Sequence, residues 1–259
     1  MKHALFYISV IVLSILLGFI LSRMRPSRIP HLLIVDTEYA WVGDGTSYGQ
    51  VMFFVNDLDH GIADEDHYMR VLLGDEKREK IIEVSLYRVE VGHVENYLGE
   101  NYHRILVTFK LPHVSMDMIF DQAYLHLECF DQDEYQLLLG RVSIFTPDVH
   151  EHVISWTSLE GFKQAYDLRS RLYEIRVRMD GDIPEIHTID VGSQGLTSFH
   201  REGDWLIITI GRAPYLLYDV PIILSFQDGR RHIIASFRYI TDYVILKESG
   251  PWIHTYELH

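Results

Sequence analysis

Cysteine is almost missing from this chain. Cys129 stands alone among 259 residues, so no intrachain disulfide can form and the small disulfide-stapled secreted scaffolds are excluded. Asn56, Asn96 and Asn101 are followed by no Asn-x-Ser/Thr acceptor pattern, so nothing marks a glycosylated surface. Basic residues are also scarce, with 23 Lys and Arg against 37 Asp and Glu. They form no basic patch interleaved with aromatics, which phosphate binding requires, and a nucleic-acid partner is not expected.

Catalytic signatures are lacking too. Gly45-Thr46-Ser47-Tyr48-Gly49 has Gly-x-Ser-x-Gly spacing, but no helix pattern follows it, so it does not read as a nucleophile elbow. The glycine-bounded segment Gly43-Asp44-Gly45-Thr46-Ser47-Tyr48-Gly49 has no Gly-Lys-Ser/Thr of a phosphate loop. It also carries Tyr48 where a dinucleotide fingerprint needs its last glycine. No catalytic or cofactor-binding residue is assigned, and an enzyme is not the expected class.

One long apolar run is present. Residues 4–21 read ALFYISVIVLSILLGFIL, about 27 Å of helix at ~1.5 Å per residue, near the hydrocarbon thickness of a bilayer. A signal peptide would have a shorter apolar region ending in a small-x-small cleavage site. Here the run meets Leu21-Ser22-Arg23-Met24-Arg25-Pro26, and no cysteine follows for lipid attachment. The expectation is an uncleaved single-pass anchor, with the lipid bilayer held through residues 4–22 and residues 1–29 forming the anchor and its basic flank. Orientation is finely balanced. Lys2 and the α-amino group lie before the segment, and Arg23, Arg25 and Arg28 after it, a slight bias toward a cytoplasmic body. Against this stands the usual outward passage of a body behind a short basic N-terminus, and an extracytoplasmic body is the reading adopted.

The body is rich in residues that suit pleated, half-buried surfaces: 16 Tyr, 12 Phe and 4 Trp, with many Val and Ile. Apolar runs recur at short intervals, at 32–36, 50–55, 68–73, 81–91, 104–111, 118–130 and 135–145. They resume at 171–179, 185–191, 204–210, 220–226, 232–239 and 243–246. Turn chemistry separates them, and Asp228-Gly229 is a strong hairpin signal. From Ile82 the alternation changes phase at Tyr87, which predicts a bulge there. Ser158–Arg171 has Leu159, Phe162, Ala165 and Leu168 near helical spacing, so a short helix is predicted near 158–170. The fold class is therefore mostly β: an N-terminal transmembrane helix followed by two antiparallel β-sandwich, immunoglobulin-like domains. The acidic first domain spans 30–147 and the second 148–259.

The densest chemistry is the loop at 56–67, Asn56-Asp57-Leu58-Asp59-His60-Gly61-Ile62-Ala63-Asp64-Glu65-Asp66-His67. Asp57, Asp59, His60, Asp64, Asp66 and His67 are candidate ligands for Ca²⁺ or a transition metal. Aligning Gly61 with the obligatory EF-hand glycine puts Leu58 and His60 where acids should stand, so the loop also reads as a plain solvated hairpin. A second acidic tip lies at Asp131-Gln132-Asp133-Glu134. His150 and His152 could share one strand face. Cys129 reads as a buried hydrophobe, and Tyr39, Trp41 and Tyr48 as core residues or as a binding surface. The favoured function is a membrane-tethered, non-catalytic binding or assembly module of the cell envelope, contacting another membrane or envelope protein. The alternative is a membrane-anchored metal-binding protein or hydrolase with its site on loop 56–67.

Overall fold

The computed structural model describes residues 29–147, 154–163, 172–181, 183–192, 197–211, 216–217, 219–238 and 245–258. The apolar segment 4–22, His150 and His152 lie outside these residues. Among the described residues no helix is long and apolar enough to cross a membrane.

The described strands run in chain order as β1 (His31–Val35), β2 (Thr37–Val42), β3 (Tyr48–Val55), β4 (Tyr68–Gly74), β5 (Ile81–Tyr97), β6 (Glu100–Lys110), β7 (Met118–Cys129) and β8 (Glu134–Phe145). They continue as β9 (Ser155–Lys163), β10 (Leu172–Asp180), β11 (Ile186–Val191), β12 (Thr197–Glu202), β13 (Trp205–Ile210), β14 (Leu216–Leu217), β15 (Asp219–Phe226) and β16 (Arg231–Arg238). A short helix, α1 (Ile245–Ser249), precedes β17 (Ile253–Glu257).

One ten-stranded sheet has the order β14-β2-β8-β7-β4-β5-β6-β3-β1-β17. It folds over on itself because β5 serves both sides. Ile81–Val84 pair with β4, and Ser85–Tyr97 pair with β6. The result sets β1-β3-β6-β5 against β4-β7-β8, the strand order of an immunoglobulin sandwich. The chain divides its first strand between the two sides at Asp36, whose N–H donates to Trp252 O. β1 is antiparallel to β3, while β2 runs parallel to β8 from Thr37↔Gly140 to Val42↔Phe145. Gly140 is required at that crossing. Its φ is +109°, and a Cβ there would lie 2.6 Å from Thr37 O. Two pairings, β2 with β8 and β14 with β2, are parallel, a departure from the expected antiparallel sandwich; every other strand pairing among the described residues is antiparallel.

The pleat explains the burial. Val51, Phe53 and Val55 of β3 point between the sheets with Leu73, Leu125 and Leu139. Met52 and Phe54 point the other way, under Leu246 of α1 and Leu216. A strand buried on both faces needs a continuous apolar run, and VMFFV supplies one. Glu95 anchors the covering helix: its carboxylate accepts from Leu246 N at 2.8 Å and pairs with His93 Nε2 at 3.1 Å.

A second core lies between the sheet β12-β13-β10-β9 and the sheet β11-β15-β16, around Ile175, Val177, Val191, Leu206, Ile208, Ile222 and Leu224. Ala40 and Phe145 of the first sheet belong to this core as well. Polar contacts join the two bodies. Arg231 Nη1 reaches Asp117 Oδ2 at 2.8 Å, and Arg231 Nη2 donates to Thr146 O at 2.8 Å. Glu38 is fully buried, and its carboxylate lies where a Cβ on Gly192 would stand.

The sequence reading needs four corrections. The segment predicted as a helix near 158–170 is strand β9 through Lys163, paired with β10 from Leu159↔Val177 to Phe162↔Glu174; the rest of it lies outside the described residues. Helical spacing is a weak preference that cross-strand pairing overrides. Ile245 and Leu246 of the strand expected at 243–246 begin α1; residues 243 and 244 lie outside the described residues. The segment 148–259 does not belong wholly to the second domain, because β17 pairs with β1 from His31↔Glu257 to Val35↔Ile253 and Leu258 enters the first core. Loop 56–67 is not a hairpin: β3 pairs with β1 and β6, and β4 with β5 and β7. The loop therefore crosses from one side of the sandwich to the other. The register shift between Leu86 and Arg88 is the bulge predicted at Tyr87, and the Asp228-Gly229 hairpin joins β15 to β16.

Candidate functional site

The crossing loop is built from two single 3-10 turns, Gly61–Ala63 and Glu65–His67. Its polar side chains are mostly spent on its own backbone. His60 Nδ1 accepts from Ile62 N at 3.2 Å. Asp57 accepts from Asp59 N at 3.0 Å, and Asp64 from Asp66 N at 3.1 Å. Such local bonds are what short polar side chains do in turns. Ile62 is the loop's buried anchor, and the Tyr68 hydroxyl donates to its carbonyl. Asp59 and Asp66 are exposed. The carboxylates proposed from sequence therefore do not converge on one point.

His67 behaves differently. Its ring lies against Gly61, where a Cβ would sit 2.7 Å from Nε2. That nitrogen contacts Asp131 Oδ2 at 2.9 Å, at the β7–β8 turn. The turn is stitched to the loop by Phe130 N, which donates to His67 O at 3.1 Å. Cys129 N donates to Asp133 O at 2.9 Å, and Gln132 N to Cys129 O at 3.2 Å. The Cys129 side chain is buried. One ligand atom each from His67, Cys129 and Asp131 lies within 4.8 Å of the others.

Of the six sequence candidates, only His67 enters this cluster; Cys129 and Asp131 were read separately as a core residue and a turn acid. The signal that unites them is the pairing of β4 with β7, which brings Tyr68 opposite Cys129. The electrostatics are those of a dry pocket beside acids. Burial, with help from Asp131 and Asp133, pushes the Cys129 thiol up to about 12. Burial likewise lifts the Tyr68 hydroxyl, aided by Cys129, Tyr135 and Asp64. The Tyr135 hydroxyl rises to about 12, again chiefly by burial.

A second feature lies on the outer face. Tyr39 and Trp41 are buried, their rings 5.6 Å apart. Tyr48, by contrast, is 52% exposed, and its ring lies 4.8 Å from that of Tyr87, tilted by 55°; Tyr87 is 59% exposed. The Arg88 guanidinium lies 5.9 Å from the Tyr87 ring. The β5 bulge re-aims Tyr87 outward, as bulges do.

No protein-family model and no curated protein matches this chain. Among solved structures, one similar chain is the Bacteroides ovatus mixed-linkage glucan utilization locus SGBP-B, in complex with a mixed-linkage heptasaccharide. It is 11% identical with a TM-score of 0.23, covering 77% of this chain and 42% of that one. Another is the D00-D0 domain of Intimin, 7% identical with a TM-score of 0.21, covering 81% of this chain and 99% of that one. This chain thus spans less than half the length of the first of these. Superpositions this loose leave the strand order as the basis of the fold assignment.

Proposed function

We propose that the chain is a membrane-tethered, non-catalytic binding or assembly module of the cell envelope. In this reading residues 4–22 hold the bilayer, the body stands outside the cytoplasm, and the sandwich meets another membrane or envelope protein. The observation that carries it is the exposed Tyr48–Tyr87 pair with Arg88 beside it. Tyrosine and arginine are enriched where proteins bind one another, because they cover apolar area and still offer polar tips. A bulge spent on presenting two adjoining aromatic rings to solvent suits a contact surface better than a core.

The test is photo-crosslinking in native membranes, with a photoreactive phenylalanine analogue at position 87 of the full chain. One discrete adduct is expected, falling several-fold when Tyr48→Ala is added. A chain that crosslinks to nothing, or indifferently to Tyr48, overturns the contact surface. Extraction by alkaline carbonate would overturn the tether, and protection of the body from external protease in intact cells would overturn its outward placement.

A further inference from the structure

We propose that His67, Cys129 and Asp131 form a site for a zinc-type divalent cation, clasping the 57–67 crossing loop to the β7–β8 turn. The proposal does not depend on the tethered-module reading. The three donors are an imidazole nitrogen, a thiol sulfur and a carboxylate oxygen, all within 4.8 Å of one another. Zn²⁺ binds such donors at about 2.0–2.3 Å in a tetrahedron, which requires them to lie about 3.3–3.8 Å apart. The present His67 Nε2 to Asp131 Oδ2 separation of 2.9 Å has to widen by only a few tenths of an ångström. Ca²⁺ and Mg²⁺ call for oxygen donors and fit poorly, whereas sulfur and imidazole select zinc-like ions.

The donors are held by backbone contacts and not by one another alone. His67 is fixed by Gly61 under its ring and by the Phe130 N–H on its carbonyl. Cys129 is fixed by hydrogen bonds at both its N–H and its carbonyl. Cys129 is 2% exposed, and its thiol makes no hydrogen bond among the described residues. A buried sulfur facing a histidine and an acid is an unusual use of a residue that elsewhere would serve as plain apolar filler. Asp131 is 45% exposed at its side chain and leaves a fourth position open for water.

Binding is a proton exchange. The cysteine S–H bond breaks, an S–metal bond forms, and one proton leaves to solvent. The hydrogen now between His67 Nε2 and Asp131 moves to Nδ1 by way of solvent, the neutral ring binds through Nε2, and the contact with Asp131 is replaced by two metal bonds. A thiol that is hard to ionise when buried becomes a thiolate because the cation supplies the missing opposite charge.

The experiment is Co²⁺ titration of the reduced full chain in detergent. One Co²⁺ per chain is expected, with a thiolate-to-cobalt charge-transfer absorption that excess Zn²⁺ removes and excess Ca²⁺ does not. Cys129→Ser should abolish the charge-transfer band. His67→Gln and Asp131→Asn, one half-buried and one exposed, should weaken Co²⁺ binding by more than about tenfold, with circular dichroism checking that each keeps the fold. Absence of the band in the folded wild-type chain, or a band unchanged in both His67→Gln and Asp131→Asn, overturns the site even if Cys129→Ser fails to fold.

Discussion

His126 shows how much one side chain can carry here. It is 1% exposed on β7, its Nε2 donates to Asp75 O at 2.9 Å, and its Nδ1 accepts from Arg78 Nε at 3.3 Å. Both nitrogens are committed to the neutral ring, since a proton on Nδ1 would face a guanidinium. Burial, with Arg78 adding repulsion against the opposing pull of Asp75 and Glu128, holds the ring's pKa below its ordinary 6.5. The unfolded chain therefore takes up the proton first as pH falls, so stability present above about pH 6.5 is lost progressively below it. Urea midpoints measured from pH 7.5 to 5 should fall for the wild-type chain. In His126→Gln, which keeps a donor and an acceptor but cannot titrate, that slope should flatten. An equal slope in both would assign the effect to other histidines. None of this was visible in the sequence, where His126 was one of 15 histidines; the strand pairing and a turn some fifty residues upstream supply its partners.

At the scale of elements, β17 is the piece whose place could not be read locally. Its sequence IHTYE has neither a strong apolar run nor a distinctive turn before it, and its partner β1 lies at the other end of the chain. The structure gives it two tasks. It covers the outer edge of β1 over five residue pairs, which removes an exposed strand edge. It also sends Tyr256 inward, where the hydroxyl accepts from Leu138 N of β8 at 2.9 Å, bridging the two sides of the sandwich. Tyr256→Phe should cost about 1–2 kcal/mol by leaving that N–H without its acceptor. Truncation after Trp252 should cost several kcal/mol more, because Leu258 leaves the core and the edge is uncovered. Equilibrium denaturation of both variants checks the order; a Phe variant as stable as wild type would reduce Tyr256 to packing. Elements with patterns of their own, the period-two alternation of β5 and the continuous apolar runs of β3 and β15, were legible for the opposite reason: burial writes itself into neighbouring residues. Segment 158–163 was misread because Leu159 and Phe162, three residues apart, share a face only in a helix; pairing with the neighbouring β10 puts them on opposite faces of a strand.

For the whole molecule, the question is whether two cores act as one. Arg231 of the second body holds Asp117 and Thr146 of the first. Burial pushes the Asp117 carboxyl upward, but the Thr146 N–H and hydroxyl and the Arg231 guanidinium outweigh it, leaving the carboxyl below its ordinary 3.8. Its contribution is present above about pH 3.8 and disappears as pH falls through the lower folded value. Arg231→Met should shift the unfolding of the second body to lower urea than the first, separating one transition into two. In the wild-type chain the same separation should emerge only in strong acid. A single unchanged transition in Arg231→Met would show that the apolar contact of Ala40 and Phe145 is sufficient. The candidate cation site was half legible at this scale, since both acidic tips were marked in sequence while their meeting depends on which strands become neighbours. The pairing of β1 with β17 bears, finally, on how the protein is made. β1 is completed by β17, whose residues follow far later in the chain, so the sheet cannot reach its final form until residue 257 has been made. Throughout that interval the growing chain carries an uncovered edge, open to any extended segment nearby.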